Sequence, residues 1–119
     1  MWIFLSDAFI SVVAHRDDGN LLLVRARLDG DLERAFSRIG IAPVVQTLNH
    51  ADYRFRTTVD RSTFERLLTA AAREIVYDNF KNQIADDDAL RHDAYFRVWE
   101  TMHTAQRQAR AKADADGAD

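Results

Sequence analysis

The chain has 119 residues, of which 47% are hydrophobic and 29% charged, a net charge of −3 and no cysteine. Length and composition suit one ordinary globular domain, and the missing thiol excludes disulfides, thiolate zinc sites and cysteine nucleophiles. The negative balance counts against a generic polyanion binder, which is usually basic throughout, yet leaves room for a local basic face.

Met1-Trp2-Ile3-Phe4-Leu5 is apolar but brief, lacks a basic lead and meets Asp7 at once, so it reads as a strand and not as an export signal. No stretch approaches the ~20 apolar residues of a membrane span. The expectation is a cytoplasmic protein without membrane contact. Residues 2–5 and 8–15 read as extended, and Asp17-Asp18-Gly19-Asn20 is a turn cluster. Leu21 to Leu28 resumes the strand pattern and completes a hairpin. Its alternation puts Leu22, Val24, Ala26 and Leu28 on one face and Leu21, Leu23, Arg25 and Arg27 on the other.

Asp31 is placed to cap a short helix, Leu32 to Arg38, with Gly40 as its stop. Pro43 opens a short strand, Val44 to Leu48. Tyr53 to Val59 alternates strictly, with Tyr53, Phe55, Thr57 and Val59 facing one way and Arg54, Arg56 and Thr58 the other. Ser62-Thr63-Phe64-Glu65 matches a capping box, followed by an apolar stripe of Phe64, Leu67, Leu68, Ala71 and Ile75. Residues 76–84 are irregular, with Tyr77, Phe80 and Ile84 as anchors. Asp86-Asp87-Asp88 suits a helix N-terminus, and a long helix runs from there to about Ala111.

These elements predict an α+β fold over residues 1–112. Its mostly antiparallel sheet is built from a β-hairpin, a helix, two strands and a helix, with the helices on one face and a long C-terminal helix. Residues 113–119 read as a disordered acidic tail.

Four patterns carry candidate chemistry. Arg25, Arg27, Arg54 and Arg56 come in two i, i+2 pairs, so neighbouring strands would gather all four on the face away from the helices. Arginine suits phosphate and carboxylate because its planar fork donates two parallel hydrogen bonds. The plainer reading is a solvated face whose arginines pair with acids across strands. His50 with Asp52, His92 with Asp93, and His103 are metal-ligand or acid–base types. His92 and His103 share a helix face but lie about 16 Å apart along it, too far for one metal. Neither a metal nor a cofactor is expected, and the plainer reading is surface histidines. Asp78-Asn79-Phe80-Lys81 is a polar irregular stretch, suited either to a binding loop or to a connection anchored by Phe80. Tyr95, Phe96, Trp99 and Met102 form an aromatic stripe at helical spacing, either core or an interface to a partner or a second copy. No Gly-rich phosphate loop or serine nucleophile elbow is present, and strands separate the first two helices, against helix-turn-helix.

Met1-Trp2-Ile3-Phe4, Leu22-Leu23-Val24-Arg25-Ala26-Arg27, Gly30-Asp31-Leu32-Glu33, Ala51-Asp52-Tyr53-Arg54-Phe55-Arg56, Asn79-Phe80-Lys81, and Arg91-His92-Asp93-Ala94-Tyr95 with Val98-Trp99 resemble a group of small uncharacterised bacterial proteins also met on phage and mobile elements. The resemblance covers Met1 to about Gln106. It implies a cytoplasmic bacterial or phage setting and a role in host–phage conflict, such as inhibition of a nucleic-acid-targeting defence complex. It brings no catalytic residue with it.

The resulting expectation is a non-enzymatic interaction or regulatory module that binds a macromolecular partner through the face bearing Arg25, Arg27, Arg54 and Arg56 or through the aromatic side of the last helix, with Asn79, Lys81, His92 and Tyr95 as further binding residues. The alternative is a nucleic-acid-binding or nucleic-acid-processing factor in which a histidine stands near the arginine face.

Overall fold

A computed structural model describes residues 1–118. The chain divides into two compact units, the first spanning Met1–Phe80 and the second beginning at Lys81.

The first unit is a five-stranded sheet carrying two helices. Strands β1 (Trp2–Leu5), β2 (Ala8–Ala14), β3 (Leu21–Ala26), β4 (Gln46–Thr47) and β5 (Phe55–Asp60) are joined in the order β1-β2-β3-β5-β4. Every pairing is antiparallel. The alternation read from the sequence decides the faces. Ile10 and Val12 of β2, Leu22, Val24 and Ala26 of β3, and Phe55 of β5 are buried. They pack with Leu32, Ala35 and Phe36 of α1 (Asp31–Ser37) and with Phe64 and Leu67 of α2 (Arg61–Arg73). Fully burying side chains such as Phe36, Ile10, Leu32 and Leu67 stabilises the unit by about 1.5–3 kcal/mol each. Helices α1 and α2 thus cover one face, and Arg25 and Arg56 fall on the other by the same period of two.

Local details depart from the expectations in ways that tertiary contacts explain. Asp31 is not the N-cap of α1: Gly30, at φ 87°, takes that place. Asp31 is fully buried one residue further in, where its carboxylate accepts the Phe9 N–H at 2.9 Å and pairs with Arg34. A carboxylate that stitches the helix start to β2 is not available to cap its own helix. The capping box at Ser62 does not form either. Helix α2 starts at Arg61 with Asp60 as N-cap and no side-chain cap bond. Strand β5 runs straight into the helix because Asp60 is still paired with Leu21. The Arg61 N–H and Nε donate to Asn20 and Gly19 carbonyls at 3.0 and 2.6 Å, so the tip of the β2–β3 hairpin holds the first turn. Helix α2 ends at Arg73, which leaves Ile75 exposed and off the stripe assigned to it.

A 3-10 turn, Phe80–Gln83, leads to α3 (Ala89–Gly117), which lies in the second unit. Asp88 caps α3, its side chain accepting the Arg91 N–H at 3.1 Å. Helix α3 continues past the expected end near Ala111, through residues assigned above to a disordered tail. Alternating alanines of high helix propensity occupy this stretch. Asp119, the last residue of that tail, lies outside the described residues. From Phe96 onward every described residue of α3 is exposed. No helix among the described residues is long and apolar enough to cross a membrane.

Candidate anion-binding face

The register brings the arginines together. One cross-strand row runs Trp2, Ser11, Arg25, Arg56 and Gln46 across all five strands. Arg25 and Arg56 are therefore direct neighbours on adjacent strands, with no acid between them. Like charges placed so are destabilising, since the Cβ atoms of such partners lie only about 5 Å apart. The plainer reading of Arg–acid pairs describes Arg27, which pairs with Asp52, but not Arg25, whose cross-strand partner is another arginine.

Their hydrogen bonding is incomplete. Arg25 donates from Nη2 to the Ser11 hydroxyl at 2.9 Å, and Ser11 is itself buried. The Nε atoms of both Arg25 and Arg56 are buried and have no hydrogen-bond partner. A buried donor left unsatisfied costs about 1–3 kcal/mol, more when it belongs to a charged group.

Two further arginines flank the pair and are occupied differently. Arg27 donates to the Asp52 carbonyl at 3.0 Å and to its carboxylate at 2.8 Å. The Arg27 hydrogen bond and charge, with a smaller contribution from Arg25, hold the Asp52 carboxyl below its usual range. Arg54 donates to the Asn49 side-chain oxygen at 3.2 Å and lies over the Phe55 ring. By contrast Arg38 is ion-paired with both Asp7 and Glu74, and Arg34 with Asp31. Acid partners are thus supplied elsewhere in the unit, while Arg25, Arg54 and Arg56 have neutral partners or none.

Tyr53 is the residue the sequence reading misplaced. Strand β5 begins at Phe55, so Tyr53 is not bound by the alternation that set it opposite the arginines. Its ring, 5% exposed, lies under the guanidinium carbons of Arg25 and Arg27 at 4.4 and 4.0 Å. This cation–π clamp orders two long side chains that would otherwise be mobile. Ser11 was also missed. The signal for it was present, because a hairpin turning at residues 17–20 sets Ser11 opposite Arg25.

Aromatic rings continue the face beyond Ser11. Phe4 stacks on Phe9 at 4.6 Å, and Trp2 meets Phe9 edge-on at 6.4 Å. Trp2 is 69% exposed. On the other side of the pair, Arg56 lines a cavity of about 390 Å³ together with Leu23, Val44, Gln46 and Thr58.

The remaining candidate residues do not join this constellation within the first unit. Asn79 is exposed in the irregular stretch after α2, where Tyr77 and Phe80 make a tilted ring contact at 6.0 Å. Lys81, His92 and Tyr95 belong to the second unit. There Arg91 is buried, holds the Asp88 carboxylate at 2.9 Å and donates to the Tyr95 hydroxyl at 3.1 Å, with His92 half-buried beside it. Among the described residues no hydrogen bond joins a histidine to any of the four arginines, and no group of three or more His, Asp or Glu side chains is arranged to hold a metal. No known family model, curated protein or solved structure matches the chain.

Proposed function

We propose that the chain is a binding module that receives anionic groups of a macromolecular partner on the Arg25–Arg56 pair. One observation carries this reading: two arginines stand opposed on neighbouring strands, each with a buried Nε that has no hydrogen-bond partner, and neither ion-paired with a carboxylate among the described residues. A phosphate or carboxylate group bridging the two guanidiniums would relieve their repulsion and supply acceptors that the fold withholds. Ser11 and Tyr53 keep Arg25 oriented, so less side-chain entropy is lost on binding. A nucleic-acid-targeting complex, of the kind the sequence resemblance implies, would present such groups.

Single-stranded nucleic acid is the second reading, and a separate observation favours it. Trp2, Phe4 and Phe9 lie on the same sheet face as the arginine pair, and bases stack on such rings while arginines take the backbone. Fluorescence anisotropy with a labelled single-stranded oligonucleotide and a labelled polyglutamate peptide tests both. Wild type binds at least one of them, and the double variant Arg25→Gln, Arg56→Gln loses at least about tenfold in affinity. Oligonucleotide binding that falls steeply with salt selects the nucleic-acid reading. Failure of both probes at low salt contradicts the proposal.

A further inference from the structure

The arginine face leaves one conspicuous feature of the second unit unused. Helix α3 exposes large apolar side chains in a row: Phe96 is 56% exposed, Trp99 60% and Met102 64%. Phe96, Trp99 and His103 stack in succession, at 6.0 Å and 12° and then at 4.9 Å and 7°. At 100° per residue, Tyr95, Phe96, Trp99, Met102 and His103 all fall within about 60° of Trp99. This is a single apolar stripe, and Trp and Met are enriched where proteins meet.

The charges along α3 say what fits on it. Asp86, Asp87, Asp88 and Asp93 gather before and within its first turns, and Arg107, Arg110 and Lys112 follow the stripe. Just before the stripe the charge is mainly acidic and just after it basic, ahead of Asp114 and Asp116, so the stretch from Asp88 to Arg110 is complementary to itself when reversed. We propose that α3 docks antiparallel on α3 of a second copy, with the two-fold axis near Trp99. That register sets Asp88 of one copy beside Arg110 of the other and Phe96 beside Met102. Residues 88 and 110 are about 33 Å apart along the helix, long enough for a continuous seam. A parallel arrangement would place the acid cluster on itself and the basic cluster on itself. Antiparallel packing also opposes the two helix dipoles favourably.

The full chain is tested by sedimentation equilibrium over a range of concentrations. Wild type reaches twice the monomer mass, and Trp99→Glu with Met102→Glu stays monomeric with its circular dichroism unchanged. Two charge variants decide the orientation. Arg107→Glu with Arg110→Glu and Lys112→Glu makes both ends acidic; Asp86→Lys with Asp87→Lys and Asp93→Lys makes both ends basic. Each alone is monomeric at concentrations where wild type pairs, and an equimolar mixture recovers the doubled mass. A wild-type monomer at every concentration, or a mixture that fails to pair, overturns the proposal. Neither outcome bears on the arginine face, whose probes do not require α3.

Discussion

Arg56 is held at a cost to the free protein. It faces Arg25 in register, and its Nε is buried without an acceptor. Replacing it by threonine removes the repulsion and the orphan donor and puts a β-branched residue in a strand. Arg56→Thr should therefore raise the stability of the ligand-free chain by a few tenths to about 1 kcal/mol, read from urea denaturation, while anion binding falls. A loss of stability would make Arg56 a structural residue. Asp52 behaves oppositely. Its carboxyl titrates below the usual range because Arg27 favours the charged form. Its contribution is complete above the unfolded-state pKa and is lost as pH falls through the lowered folded value. Since Arg27 and Asp52 are 45% and 78% exposed, the effect is small. The expected result is that the difference in Tm between wild type and Asp52→Asn narrows as the pH drops through the carboxylate range. A difference that persists unchanged at low pH would mean that Asp52 acts through something other than its charge.

At the scale of elements, α1 is held both by the burial of Leu32, Ala35 and Phe36 and by the contacts at its entrance. It has seven residues, too few to persist alone. Gly30 enters it at φ 87°, a conformation that L side chains avoid, and a Cβ there would stand 2.6 Å from the Arg34 guanidinium. Arg34 in turn reaches the Asp7 and Asp29 carbonyls and the Asp31 carboxylate. Gly30→Ala should cost at least about 1–2 kcal/mol, seen as a lower urea midpoint with an unchanged slope. A neutral result would show that the turn has an alternative conformation open to alanine. The same segment shows what local sequence rules miss. Asp31 and Ser62 both match capping patterns, yet neither caps, because Asp31 is drawn to the Phe9 amide and α2 starts directly from a strand paired to β3. Capping rules describe a helix end free in solvent, and these two ends are bound by strands.

At the scale of the whole molecule, the sheet was legible because period-two alternation is strong in Leu21–Ala26 and in Phe55–Val59, and because Asp17–Asn20 sets the hairpin register. That Arg25 and Arg56 share a face followed from that alternation once β3 and β5 proved to be neighbours. The unequal circumstances of the four arginines did not follow. That Arg27 takes Asp52, that Arg25 and Arg56 oppose each other, and that Tyr53 slides beneath Arg25 and Arg27 depend on where β5 begins and on its register. Both are set by long-range pairing and not by neighbours in sequence. The exposure of Phe96, Trp99 and Met102 was equally out of reach, because helical spacing fits a buried stripe and an exposed one alike.

Whether the Arg25–Arg56 pair receives anions is read most directly by heteronuclear NMR of the arginine Nε–H groups during titration with inorganic phosphate. The expected result is saturable shifts confined to Arg25 and Arg56, with little change at Arg66 and Arg73, which are exposed on α2. Equal, non-saturating changes at all arginines, or none at the pair, would contradict it.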